Sequence, residues 1–335
     1  MKMQYDDRKV MSLFGTAPFL LPVAVFLCVV FSYMSCSLAL QTGNTQLLTK
    51  RALEGGHCDG TRVVFDPNGQ NIIFASPKES PLTTTGVCDI YTMNIDGTGR
   101  KRLTFGTDYD GQPTVSPDGK TIAFISERDG PSHVYLMNTD GTGLRRLTQG
   151  RFNDSHPLFA SDGSKVFFTR RLSDNPDAWN LDEMFSIDID GLNEKRLTDN
   201  KYVDVPIAAS SKADTLYCLS GSMQMNLYKF DLKEQTSQEV FDDCSGCDVS
   251  PDEQWIAYIS DMAKPYEYEV YVCRIDGSDR RKLTDLHGYI GEVQFAPDGK
   301  HVVFVLEPKG APERGRGDIY IASIDRKMLR KIGDN

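Results

Sequence analysis

The sequence predicts an all-β fold, a six-bladed β-propeller of four-stranded blades, preceded by an N-terminal apolar targeting helix. Three observations carry that reading. A turn signature recurs at intervals of 41–50 residues. Each copy is followed by short apolar-alternating stretches with no helical period. One long uncharged stretch stands at the N-terminus, and none follows it. The composition agrees: of 335 residues 40% are hydrophobic and 25% charged, which excludes global disorder. The formal net charge of −10 argues against a nucleic-acid or anionic-membrane binder, which needs a basic footprint.

The first element is the targeting segment, residues 1–40. Lys2, Arg8 and Lys9 precede an uncharged run whose apolar heart extends from Phe19 to Met34, followed by the small residues Ser35, Ser37 and Ala39. That order is a signal peptide or signal-anchor, so the chain is expected to be exported: periplasmic, secreted or tethered to the membrane by this segment alone. Cys36 is a candidate for lipidation, although the Leu usual three residues earlier is missing. Residues 41–57 read as a short linker, and 58–335 as the propeller.

The repeat has two anchors. The first is the turn Asp66-Pro67-Asn68-Gly69, repeated as Ser116-Pro117-Asp118-Gly119, Ala160-Ser161-Asp162-Gly163, Ser250-Pro251-Asp252 and Ala296-Pro297-Asp298-Gly299, with a degenerate copy at Ser210-Ser211. Proline presets the second turn position, and Asp then Gly suit the next two. The second anchor is a strand that ends in Asp-Gly and leads into Arg102-Leu103-Thr104, Arg146-Leu147-Thr148, Arg196-Leu197-Thr198 and Lys282-Leu283-Thr284. Asp-Gly between strands is a favoured hairpin turn. Four short strands per unit of this length match one propeller blade, and six units make the ring. The last unit is expected to supply its own outer strand at Leu329–Ile332.

The run from Ser116 to Thr148, with the Asp-x-x-Pro entries Asp110-Gly111-Gln112-Pro113 and Asp154-Ser155-His156-Pro157, closely resembles the TolB-type propeller repeat. The resemblance covers residues 58–335 and implies the fold more firmly than the function. The α/β domain that precedes the propeller in TolB has no counterpart among residues 41–57, which speaks against a Tol–Pal role.

Function is expected on one face, where loops between blades gather at the channel and the longest insertions lie. Alignment on the turn anchor places Arg62, Gln112, His156, Val205, Gly246 and Glu292 at equivalent positions around the channel mouth. Trp179, Tyr266 and Tyr268 on long loops suit an interface, and Arg314 and Arg316 in a basic loop suit an acidic partner. These features are expected to make the chain an exported, non-catalytic binding or scaffold protein for an envelope or extracellular protein or peptide, without a cofactor. The alternative is a carbohydrate-active enzyme of the metal-assisted oligouronide lyase type, with His57, His156 and His287 on a divalent metal, or a glycan-binding module on the same face. Oligogalacturonate lyases, which resemble this family, use His and Gln ligands on such a propeller. A Gly-x-Ser-x-Gly elbow is absent from the sequence. In an exported chain, Cys58 with Cys88, and Cys244 with Cys247, are expected to form disulfides.

Overall fold

A computed structural model describes residues 62–77, 88–173, 182–212, 214–222, 225–242, 244, 246–261, 268–286, 288–308, 317–326 and 329–331. The expected targeting helix, the linker and the tips of several long loops lie outside these residues. The described strands form six sheets, each of four strands paired in chain order and antiparallel. The inner strands are Val63–Phe65, Asp110–Val115, Asp154–Phe159, Val203–Ala209, Cys247–Val249 and Gly288–Phe295 in blades 1 to 6. Each packs against the next around the ring, and the sixth meets the first.

The core is divided among the blade junctions, and six apolar clusters fill them. Ile73, Ala75 and Ile90 of blade 1 meet Ile122, Phe124 and Met137 of blade 2, for example. The middle strands are therefore buried on both faces, as in His133–Asn138, where every residue but the last is buried. That explains why their apolar residues run together while the short outer strands are polar.

The Leu-Thr repeat latches blades 1, 2, 3 and 5. Leu103, Leu147 and Leu197 enter the junction clusters. The hydroxyls of Thr104, Thr148, Thr198 and Thr284 accept the backbone N–H of Ile90, Val134, Met184 and Val270 at 2.9–3.0 Å. The turn anchor is equally explicit. Asp118 accepts from the Ser116 hydroxyl and the Lys120 N–H, and Gly119 sits at φ +72°, a left-handed conformation that suits glycine.

The last blade does carry its own outer strand, Leu329–Lys331, paired to Asp318–Ser323. Among the described residues the ring closes through side chains, with Val63, Phe65, Phe74 and Met93 of blade 1 packed against Val303, Val305, Ile319 and Ile321 of blade 6. Blade 4 departs from the pattern. Its outer strand, Thr236–Phe241, has six residues, where the outer strands of blades 1, 2, 3 and 5 have two.

Candidate functional site: the channel mouth

The inner strands are not regular where they reach the mouth. Register shifts fall between Gly111 and Thr114, between Ser155 and Leu158, between Pro206 and Ala208, and between Ile290 and Val293. A bulge of this kind re-aims the side chains beside it. Gln112 and His156 also take positive φ values of 51° and 50°, uncommon for residues other than glycine. The Gln112 carboxamide oxygen accepts the His156 backbone N–H at 2.7 Å, tying blade 2 to blade 3. His156 Nδ1 meets the Ser155 hydroxyl at 3.0 Å.

Arg62 enters from blade 1 and is almost fully buried. Its Nη1 donates to the Pro157 carbonyl of blade 3 at 3.1 Å. With the Gln294 amide oriented so that its oxygen faces the guanidinium, that oxygen accepts from Nε and Nη2 at 3.1 and 3.0 Å. The Glu292 carboxylate stands 3.7 Å from Nε, beyond hydrogen-bond distance. Arg62 thus spans blades 1, 3 and 6, and its donors are aimed mainly at neutral oxygens.

The enclosure shifts the neighbouring acids and the imidazole. Burial, assisted by the Arg62 charge, pulls His156 down to about 4, so the ring is neutral near pH 7. Burial pushes Asp248 up to about 6, against the backbone N–H bonds from Phe295 and Val249 and the Arg62 charge. Burial likewise raises Glu292, opposed by Arg62.

Four of the aligned mouth residues, Arg62, Gln112, His156 and Glu292, are therefore brought to one channel end. Tyr268 lies at the junction of blades 5 and 6, where it bridges Gly288 and meets the Tyr289 ring edge-on at 5.9 Å. Trp179, Tyr266, Arg314, Arg316, His57, His287 and Cys58 lie outside the described residues. Among the described residues no group of three His, Cys, Asp or Glu side chains is arranged to hold a metal ion. The acids that open the Asp-x-x-Pro entries are structural: Asp110 is held bidentately by Arg128, and Asp154 by Arg170.

The Cys244–Cys247 disulfide is a correction: both are free thiols. They pack with Phe241 and Tyr258 in the junction of blades 4 and 5. The hydrogen bond with Cys244, together with burial, pushes the Cys247 thiol well up, disfavouring the thiolate that disulfide formation requires. Cys88 is buried and disulfide-bonded.

Sequence reasoning missed Asp248 and Gln294, each two residues beyond an aligned mouth position. It also missed Phe105, Tyr202 and Tyr289 as large exposed aromatic residues. The signal was an aromatic residue shortly before or at the start of an inner strand.

Comparison with known proteins agrees with this architecture. The profile of the TolB beta propeller domain matches residues 28–244. The chain belongs to the TolB β-propeller family. TolB from Acinetobacter baumannii superposes with a TM-score of 0.60 at 20% identity, over 80% of this chain and 61% of that one. A puromycin-hydrolyzing peptidase of Mycobacterium tuberculosis gives 0.57 at 12% identity, over 86% and 47%. At such identities the likeness is one of fold. A curated relative in Porphyromonas gingivalis, named dipeptidyl-peptidase 5, is 26% identical over 280 residues, 79% of this chain and 40% of its own length. Its namesake in Porphyromonas endodontalis is 23% identical over 72% of this chain and 36% of its own. The expectation of a protein without catalytic chemistry is corrected by these relatives, which carry the name of a peptidase. This TolB-family chain spans well under half of their length.

Proposed function

We propose that this chain is the peptide-binding propeller of a peptidase-type protein, selecting and orienting its ligand at the channel mouth. The observation that carries the reading is the set of register shifts that turn Gln112, His156 and Glu292 towards one channel end, around an Arg62 already held by backbone and amide oxygens. Such pre-positioned polar groups on a rigid scaffold suit an extended peptide, whose amides need both donors and acceptors. The peptidase names of the curated relatives favour peptide over glycan. Export, expected from residues 1–40, would place the ligand outside the cytoplasm, among envelope or extracellular proteins and their fragments.

The test is calorimetric titration of the full chain with a mixed tetrapeptide library and, separately, with oligogalacturonides. Peptide binding that weakens about tenfold in Gln112→Ala supports the reading, since one ligand hydrogen bond is worth that much when its partner is stranded. Binding of the glycan and not the peptides overturns it.

A further inference from the structure

Blade 4 presents an edge that its neighbours do not. Among the described residues its outer strand, Thr236–Phe241, is paired on one side only, to Met225–Asp231. The outer strands of the other five blades have two or three residues, too few to carry a further ladder. A six-residue edge turns alternate N–H and C=O groups outward in a row, and such a row is completed by another extended strand. Edges are usually blunted by lysine, proline or a bulge. The run Thr-Ser-Gln-Glu-Val-Phe has no lysine or proline, and its first four residues are exposed. It does have a bulge at Val240: Tyr228 pairs with Glu239 and Leu227 with Phe241, so the flat stretch ends at Glu239.

Both ends of the edge are held. The Asp231 carboxylate accepts the Lys233 and Glu234 N–H groups at 2.9 and 2.7 Å, which fixes the turn leading into the strand. At the far end the Arg280 guanidinium of blade 5 stacks on the Phe241 ring at 4.7 Å. The charged side chain within the strand is tied back onto its own sheet: Glu239 accepts from the Tyr228 hydroxyl at 3.1 Å and from Asn226 Nδ2 at 3.3 Å. Lys233 stands out beside the edge, its side chain 86% exposed.

A strand that pairs antiparallel with its own copy does so about a two-fold axis, so one residue must face itself. Centred on Gln238, the pairing sets Thr236 against the bulged Val240. Centred on Ser237, it sets the flat residues against each other: Thr236 faces Gln238, and Glu239 faces Gln235 with Lys233 diagonal to it. Opposite charges then approach twice, once on each side of the axis, at a separation that long side chains span. We propose that the outer edge of blade 4 is a self-association surface, on which two copies of this chain join their Thr236–Phe241 strands antiparallel about Ser237 into one continuous sheet. The proposal stands apart from the peptide-binding reading, since it uses no residue of the channel mouth. A contact confined to short strands is small, so the dimer is a weak, concentration-dependent one.

Sedimentation equilibrium of the full chain, up to on the order of 100 μM, is the test. The wild type is expected to dimerise reversibly. Ser237→Lys and Ser237→Glu change an exposed side chain and set like charges face to face, so each is expected to weaken the dimer at least tenfold. An equimolar mixture of the two variants is expected to associate at least as tightly as the wild type, which also shows that both are folded. A wild type that stays monomeric overturns the proposal and leaves the edge to a strand of another protein. A dimer that both variants leave intact overturns it too, as does a loss that mixing fails to restore.

Discussion

Two junctions between neighbouring blades meet the same geometric demand with different chemistry. Between blades 2 and 3, Gly163 of one turn lies against the Pro117 ring of the other, with room for a Cβ at 3.6 Å. Gly119 meets Pro67, Gly299 meets Pro251, and Gly69 meets Pro297 in the same way. Between blades 4 and 5 both halves of that contact are missing. Ser210-Ser211 stands where the proline should be, and Glu253 occupies the glycine position at φ +56°. The Glu253 carboxylate crosses the junction instead, accepting from the Ser210 hydroxyl at 2.9 Å, the Ser211 N–H at 3.3 Å and the Tyr217 hydroxyl at 3.1 Å. The strained glutamate is therefore intelligible only together with the degenerate turn it reaches. A junction can lose its apolar contact if a polar one spans the same gap.

The largest effect that would break this contrast is at Glu253. Glu253→Ala keeps the backbone strain and strands the donors of Ser210, Ser211 and Tyr217, so urea denaturation is expected to give a loss of about 2–3 kcal/mol. Gly163→Ala adds only left-handed strain at a roomy site and is expected to cost about 1 kcal/mol. Equal losses would mean that the polar bridge carries no more than a turn glycine does.

Titration sharpens the comparison, because two carboxyls of blade 5 respond in opposite senses. Burial pushes Asp248 above its ordinary value to about 6, so its charged form is disfavoured by folding. The penalty is full above pH 6 and disappears as pH falls through 6 towards 4. Asp248→Asn should therefore lose ground to the wild type by on the order of 1–2 kcal/mol between pH 7.5 and 4.5, measured by chemical denaturation. Glu253 moves the other way. Burial would raise it, but the bonds from Ser210, Tyr217 and Ser211 prevail and lower it. Its contribution is present above the ordinary carboxylate range and lost as pH falls through the lowered value. The smallest effect follows: a stability gap between the wild type and Glu253→Gln at pH 7 that narrows by pH 3. A gap that widened on acidification would remove the charge from the account.

What the sequence disclosed about these regions follows the range of the forces involved. The turn anchors are local, so proline, aspartate and glycine announced the blades and their pitch, and Ser210-Ser211 was visibly irregular. That Glu253 compensates for it was hidden, because the partner lies 43 residues away and an isolated Glu after Asp252 resembles any surface residue. At the mouth, alignment placed Arg62 and Glu292 at one level but not Arg62's bond to Pro157, which crosses from blade 1 to blade 3. Cys244 and Cys247 were misread because their spacing reports proximity, whereas pairing depends on burial and protonation. The reading without catalysis failed for a different reason: blade motifs encode packing between sheets and are silent about the chemistry a propeller accompanies.

Closure through side chains has a topological consequence. Among the described residues every hydrogen-bonded ladder lies within one contiguous segment of chain, and no strand crosses the seam between blades 1 and 6. The seam is thus a matter of where the chain is cut, not of how the sheets are built. A circular permutant that joins blade 6 to blade 1 and opens between two other blades moves the cut without breaking any ladder among the described residues.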